Sequence, residues 1–575
     1  MGLTIARRAL PASLPALPAD MHPVLRRVYA ARGVRDLQEL QLSMRQLLPV
    51  GTLTGVHSAA QLLLEHRERG GLVLVIGDFD ADGATSTALL VRALGSWGFA
   101  RVDYLVPNRF EFGYGLTPEI VALAARRAPA LIVTVDNGIA SNAGVAAARL
   151  AGIDVLITDH HLPGSALPAA NVIVNPNVPG NGFGSRTLAG VGVAFYVAVA
   201  LRRLLEERSL LPSNALAAAE LLDLVALGTV ADVVPFDLNN RILVSQGLAR
   251  IRAGRCVAGI SALLQIARRT QATLIAADLG FAVAPRLNAA GRLTDMSIGI
   301  RCLLADDPAE ARVLALELDA LNTERRSIEA RMQAEARAAV RSLRDQGSGV
   351  QRAGVCLFDP GWHQGVVGLV ASRVKERLRR PVIAFAPAED STLRGSARSI
   401  PGVHIRDVLD AIAARDGSLI HRFGGHAMAA GLTLPLASLD PFARAFDAEC
   451  ARALQQRGSP DVIETDGELS DPEIALPTAQ ALREGGPWGP GFPEPLFDGL
   501  FRIESARVVG ERHLKLRLAA PEGRGQFDAI AFNHVDAAEP AALPGGIVRL
   551  VYRLDSNEYM GERRLQFIVE HLLQA

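Results

Sequence analysis

Between residues 70 and 235 the chain alternates short, almost wholly apolar runs with Ala- and Leu-rich stretches of helical length. Few folds accept that pattern. Leu72-Val73-Leu74-Val75-Ile76 carries no polar residue, and Val102 to Val106, Ala130 to Val135 and Asp154 to Thr158 repeat the signal. A half-exposed strand alternates apolar with polar side chains, whereas a strand buried on both faces reads as a continuous apolar run. Such runs separated by helices predict a mostly parallel sheet with helices on both sides. Ligands of an open parallel sheet bind beyond the carboxyl ends of its strands, so the chemistry is expected in the residues that follow each run.

The rest of the chain divides around this domain. Residues 1–49 read as an N-terminal arm and 50–250 as the catalytic α/β domain. Residues 251–347 form a connecting region that ends in a long helix from Pro308 to Gln346, stopped by Gly347-Ser348-Gly349. Its apolar residues Leu314, Leu318, Leu321, Ile328, Met332, Ala339 and Leu343 fall at helical steps, which predicts a packed helix joining two domains. A second, smaller α/β domain spans 348–455, with strands Val355–Phe358 and Pro381–Ala386 flanking a helix Gly365–Arg379. Ser459 to Pro490 is rich in Pro, Gly and Asp and reads as a linker or domain edge. Five strand candidates follow, Leu500–Val509, His513–Leu518, Gln526–Phe532, Ile547–Leu554 and Leu565–Val569. They suit a small OB-like barrel within 456–575.

Three carboxylates follow the first strand in Asp78-Phe79-Asp80-Ala81-Asp82-Gly83. The spacing resembles a calcium EF-hand, but the twelfth position is Leu89 rather than Glu and a strand precedes the loop, so that reading fails. One Asp after a strand is usually a helix N-cap, a role open to Asp82. Three repel one another and gain nothing from packing, which is tolerable where cations sit among them. Asp136-Asn137-Gly138 and Asp159-His160-His161 follow two further strands, and Asp232 follows the apolar helix Leu221–Leu227. On one sheet the three strand-end motifs converge on one rim, and Asp232 is a fourth candidate. Carboxylates with imidazoles and no thiolate suit Mn²⁺ or Mg²⁺. The number of carboxylates exceeds the need of one octahedral ion, which argues for two ions and metal-assisted hydrolysis at phosphorus.

Other motifs carry donors for phosphate. Asn108-Arg109 and Gly113-Tyr114-Gly115 could hold a phosphate or stack a base. Pro285 to Arg292 is expected to place Arg286 and Arg292 around a tight turn. Trp362-His363-Gln364-Gly365 is expected to open a helix whose free N–H groups bind an anion. Arg394 to Ser399 and Phe423-Gly424-Gly425-His426 add donors and close backbone approach. Arg373 to Arg380 reads as a solvated helix face. No Walker A sequence occurs, and Gly190-Val191-Gly192 lacks the third glycine of a dinucleotide fingerprint. The 575 residues hold 60 Lys+Arg against 60 Asp+Glu, so any nucleic-acid surface must be a local patch. Four dispersed cysteines argue against a cysteine zinc site or disulfide framework and fit a reduced compartment. The longest apolar run, Gly190 to Leu201, is too short for a bilayer, and prolines interrupt the amino terminus. A cytoplasmic protein without a membrane partner is expected.

On Asp78 to Gly83, Asp136-Asn137-Gly138, Asp159-His160-His161 and Asp232, in that order and spacing, the sequence resembles the DHH phosphoesterase superfamily. Gly424-Gly425-His426 resembles the signature of the associated DHHA1 domain. With Pro285–Arg292, Trp362–Gly368 and the terminal barrel, the resemblance narrows to the branch of single-stranded-DNA exonucleases, from about residue 50 to the end. Phe79, where Tyr is common, is a mild departure. The resemblance implies metal ligation by Asp78, Asp80, Asp82, Asp136, His160 and Asp232. His161 would meet the scissile phosphate or the metal, with Asp159 orienting the imidazoles. It further implies phosphate contacts from Arg109, Ser396, Arg398 and His426, and strand contacts from Arg286, Asn288 and Arg292. Tyr114, His363, Gly424 and Gly425 complete the candidate substrate residues. The activity implied is 5′-to-3′ release of mononucleotides in recombination and repair, beside a single-strand-binding protein and a helicase. A phosphodiesterase of short oligonucleotides or cyclic dinucleotides is the alternative within the superfamily. A non-catalytic DNA-binding scaffold is the alternative from another class.

Overall fold

The computed structural model describes residues 4–13, 16–107, 115–345, 352–389, 391–455, 462–510, 513–520, 525–532, 546–559 and 562–574. They form two compact units. The first comprises Met1–Asn288, Met296–Leu316 and Asp461–Ala575, and the second Ala289–Asp295 and Glu317–Pro460. The helix Pro308–Asp345 runs from the first unit into the second.

In the first unit, β1 (Thr4–Arg7) lies apart from a five-stranded sheet made of β2 (Val73–Gly77), β3 (Val102–Leu105), β4 (Leu131–Val135), β5 (Asp154–Thr158) and β6 (Val172–Val174). The strand order is β3-β2-β4-β5-β6 and every pairing is parallel, as the apolar runs predict. Leu74, Ile76, Ile132, Val155 and Ile157 pack against the helices Pro118–Ala125 and Asn142–Leu150. Helices Val56–Arg69, Ala81–Ser96 and Gly190–Glu207 pack on one another and against β2, β4, β5 and β6. Strand order reverses between β2 and β4. The chain therefore leaves the sheet in opposite directions from the two strand ends, the place where an open sheet of this kind takes its ligands.

The arm and the expected linker prove to be one structure. β1 pairs in parallel with β12 (Val462–Thr465), so the segment after Ser459 is a strand followed by the helix Leu476–Glu484 rather than a connector. Arg32, almost fully buried, donates to both oxygens of buried Asp466 at 2.6 and 3.0 Å and to the carbonyls of Val28 and Pro493. Arg7 holds buried Asp498 in the same two-pronged way at 3.1 and 2.9 Å. Five strands then close a barrel, β13 (Phe497–Val509), β14 (His513–Ala519), β15 (Gln526–Ala531), β16 (Ile547–Tyr559) and β17 (Glu562–Gln574), in the order β13-β14-β15-β17-β16. Only β15 and β17 run parallel, which is the OB connectivity. Phe501, Tyr552 and Phe567 fill its interior, with Tyr552 and Phe567 stacked at 4.4 Å. The β16–β17 pair exceeds the expected strands because polar residues such as Asn557 and Arg564 pair beyond the apolar barrel core.

The second unit is built on β7 (Val355–Phe358), β8 (Val382–Pro387), β9 (Thr392–Arg398), β10 (Arg422–Gly425) and β11 (Ala429–Pro435), ordered β10-β11-β9-β8-β7. Only β7 and β8 are parallel. The helix Val367–Leu378 buries Val367, Val370 and Ala371 against Val382, Ala384 and Ala386 on one face. Helices Ile405–Arg415 and Leu439–Gln455 cover the other, around Phe385, Phe442 and Phe446. Among the described residues no single helix is long and apolar enough to cross a membrane.

Candidate metal centre

β2 delivers Asp78 to the sheet rim, where Oδ1 accepts the N–H of Phe79 at 2.8 Å. The next helix starts at Ala81, because Asp80 is its N-cap and accepts from the Gly83 N–H at 3.0 Å. The capping role anticipated for Asp82 therefore belongs to Asp80. Asp82 sits in the first turn, buried, and its two oxygens accept the N–H groups of Gly190 and Val191 at 2.7 and 2.9 Å. These are the first residues of Gly190–Glu207, so the positive end of that helix faces the carboxylate. The Gly190-Val191-Gly192 segment rejected as a dinucleotide motif thus has a different task, and a glycine opening an apolar helix was the signal for it. A Cβ on Gly190 would stand 2.7 Å from the Cβ and Oδ1 of Asp136, so only glycine lets the helix come this close.

Asp136 follows β4 with φ of 61°, a left-handed conformation that a non-glycine residue holds only when its surroundings enforce it. Asp159, after β5, is buried and saturated. Its Oδ1 accepts from the N–H groups of His160 and His161 and from His161 Nδ1 at 2.8 Å, and its Oδ2 accepts from Ile139 N–H. Asn175 and Asn177, which sequence reasoning missed, donate to the carbonyls of His161 and His160 at 2.9 and 2.6 Å and fix the loop that carries both rings. Nothing local marks them, because their partners lie 14 and 17 residues back, beyond the reach of a local motif. His160 Nε2 lies 3.0 Å from Asp136 Oδ1 and 3.5 Å from Oδ2 of Asp232, the C-cap of the helix Leu222–Ala231.

Three donor sets result, each with ligand atoms within 4.8 Å of one another: Asp78, Asp80 and Asp136; Asp82, His160 and Asp232; and Asp136, His160 and His161. Asp136 and His160 each belong to two of them. Burial and the charge of Asp80 push Asp82 up to about 7 against the pull of its two backbone N–H partners. Burial, then the neighbouring carboxylates, holds Asp136 and Asp232 well above the usual carboxylate range. For His161 burial opposes the charged form, but the hydrogen bond and charge of Asp159, with Asp78 and Asp80, prevail and raise it to about 9. Apart from the 3.5 Å approach of His160, the buried Oδ2 of Asp232 meets no hydrogen-bond donor among the described residues. A divalent cation supplies what such a site lacks. Oxygen donors with an imidazole and no thiol fit Mn²⁺ or Mg²⁺.

The outer candidates divide among other places. Residues 284–293 form a helix, not the expected tight turn, because a π-turn at Leu279–Val283 leads directly into it. Asn288 on that helix accepts the N–H of Ala81 at 2.9 Å, which ties it to the carboxylate loop, and Arg286 donates to the Ala282 carbonyl. In the second unit Arg292 donates to the Gly365 carbonyl at 3.4 Å. The helix expected to open at Trp362–Gly365 begins at Val367. His363 takes up the backbone donors ahead of it, Gly365 N–H on Nδ1 and Val366 and Val367 N–H on its carbonyl, so they are not free for an anion. Ser396 and Arg398 share one face of β9 and are bonded to each other at 2.9 Å. On the same face Gly431 separates Ser396 from Gly424, and a Cβ on either glycine would meet nothing within 4 Å. That leaves bare backbone beside the Ser396–Arg398 pair. Gly425, at φ of 146°, and His426, whose N–H donates to Ala429 at 2.8 Å, make the turn into β11. Arg109 and Tyr114 lie outside the described residues.

A doubly wound sheet with acidic and imidazole groups on its carboxyl rim, followed by a mixed α/β unit, defines a metal-dependent phosphoesterase of the DHH class. Residues 72–229 match the DHH family N-terminal domain, 350–452 the DHHA1 domain, and 465–571 the RecJ OB domain. The single-stranded-DNA-specific exonuclease RecJ of Dickeya dadantii (strain 3937) is 53% identical over 100% of both chains. That of Escherichia coli (strain K12) is 52% identical over 97% of this chain and 96% of its own. The crystal structure of RecJ in complex with Mn²⁺ from Thermus thermophilus superposes with a TM-score of 0.78 at 34% identity, covering 97% of this chain and 76% of that one. The chain belongs to the RecJ family of single-stranded-DNA-specific exonucleases.

Proposed function

We propose that this chain hydrolyses single-stranded DNA exonucleolytically, using two divalent ions, Mn²⁺ or Mg²⁺, held by Asp78, Asp80, Asp82, Asp136, His160 and Asp232. The observation that carries the proposal is the overlap of the donor sets at Asp136 and His160, which suits two neighbouring ions better than two separate ones. Bound ions would supply a hydroxide near neutral pH and neutralise charge on attacking and leaving oxygens. Asp159, by accepting from Nδ1, fixes the orientation of the His161 ring, which would meet the scissile phosphate or a metal ion.

Residues 50–250 are the catalytic domain in this reading, and the DHHA1 portion, 348–455, binds substrate. Arg286, Asn288 and Arg292 would contact the strand. Ser396, Arg398, His426 and Arg109 would meet phosphates beside the backbone floor at Gly424 and Gly425, with Tyr114 and His363 assisting. The barrel in 456–575 would guide the strand by stacking and backbone contacts. The 5′-to-3′ polarity, the mononucleotide product, a cytoplasmic setting in recombination and repair, and partnership with a single-strand-binding protein and a helicase rest on the family resemblance. Full-length similarity to named exonucleases favours neither the short-oligonucleotide nor the scaffold alternative. The test is digestion of 5′- and 3′-labelled single strands beside duplex, with each metal and with Asp136→Ala. Mononucleotide release from the 5′ end of single strands alone is expected. Equal cleavage by Asp136→Ala would overturn the metal assignment.

A further inference from the structure

Phe281 is 82% exposed, more than any other phenylalanine among the described residues. A single exposed apolar residue is ordinary on a protein surface. This one is placed unusually. It sits in the π-turn Leu279–Val283, between the short helix Ala276–Asp278 and the helix starting at Ala284. A π-turn sacrifices regular helical hydrogen bonding, and such turns are found frequently at functional sites. Its neighbours Leu279, Ala282 and Val283 are buried, so the turn is anchored while Phe281 alone is turned outward.

The turn is tied to the metal centre from two directions. Seven residues on, Asn288 accepts the N–H of Ala81 between Asp80 and Asp82. A Cβ on Gly280 would stand 3.2 Å from Cγ1 of Val230, on the helix that ends in Asp232. Val233, next after Asp232, is itself 64% exposed and held at φ of 62°, a costly conformation for a β-branched residue. Two outward apolar side chains thus stand on adjoining segments, each directly linked to a candidate ligand loop. An exposed ring on a turn packed against the helix that carries Asp232 matches the flat face of a nucleobase, and such stacking tolerates any sequence.

We propose that Phe281 is a base-stacking residue that holds the single strand as it approaches the metal centre, a proposal resting on the exonuclease reading above. Stacking of one base corresponds to roughly a five- to hundredfold effect on affinity. Phe281→Ala is therefore expected to raise KM for a single strand by that factor while kcat changes less than twofold. Phe281→Trp should keep the low KM, and its added fluorescence should be quenched by an oligonucleotide in chelator, where no cleavage occurs. An oligonucleotide with abasic sites near its 5′ end should bind the unsubstituted protein more weakly and Phe281→Ala no more weakly still. An unchanged KM in Phe281→Ala, or no quenching in Phe281→Trp, would overturn the proposal and leave the exonuclease reading standing. A loss of binding to a partner protein, with DNA binding intact, would overturn it too. Absence of cleavage by the unsubstituted protein would sink the exonuclease reading, while the quenching measurement would still decide the role of Phe281.

Discussion

Removing metal should invert the pH dependence of stability that folded proteins commonly show in this range. Asp82 ionises near pH 7 in the folded chain but near 3.8 when unfolded. Its folded form binds the proton more tightly, so stability falls as pH rises from about 4 to 7 and is level above. That single group is worth about 4 kcal/mol between those limits. Asp136 and Asp232 act in the same direction. His161 continues the trend, since its pKa is raised from 6.5 to about 9 and its contribution, present below 6.5, is lost as pH climbs to 9. Solvent reduces its share, because the side chain is 32% exposed. Unfolding in denaturant, followed from pH 5 to 8.5 in chelator, should therefore show a continuous loss of stability. At pH 8, Mn²⁺ at a hundred times its Kd should restore about 2.7 kcal/mol. Asp136→Asn removes one repelling charge, so in chelator at pH 8 it should be more stable than the unsubstituted protein while losing the response to Mn²⁺. Metal-free stability that stays flat or rises from pH 5 to 8 would refute the electrostatic argument.

Three further outcomes follow from the geometry. Gly190→Ala forces a methyl to 2.7 Å from Asp136, so Mn²⁺ affinity measured by calorimetry should drop at least tenfold with the circular dichroism spectrum unchanged. Arg32→Met leaves Asp466 buried without its partner and should cost about 3–5 kcal/mol in denaturant unfolding, most of it recovered when Asp466→Leu is added. Asp498 is lowered despite its burial, because Arg7 and Thr465 hydrogen-bond its charged form. Its stabilisation is present above about pH 4 and lost in acid, so Arg7→Ala should flatten the acid limb of a thermal melting curve between pH 2 and 4.

The apolar runs at 72–76, 130–135 and 154–158 fixed strand identity without help, because a strand buried on both faces has no other composition. The same logic places Asp78, Asp80, Asp82, Asp136 and His160, which all follow strands, near one rim, whereas Asp232 follows a helix and is brought there by the packing of that helix. Roles within the rim were less legible. Asp80 rather than Asp82 caps the helix, since capping depends on where the chain leaves β2 and on which carboxylate the Gly190 helix claims. Residues 284–293 carry turn-like glycine and proline but fold as helix, because the π-turn before them supplies the change of register and Pro285 is accepted near a helix start.

Sequence alone thus determined the fold class, the metal chemistry and the family, all of which depend on residue type and short-range order. Tertiary structure decided the contacts between distant segments. β1 pairs with β12 across more than four hundred residues, Asn175 and Asn177 brace the histidine loop, and a helix terminus grips Asp82. Local pattern cannot reveal these, because each hydrogen bond joins groups whose proximity exists only once both partners have packed.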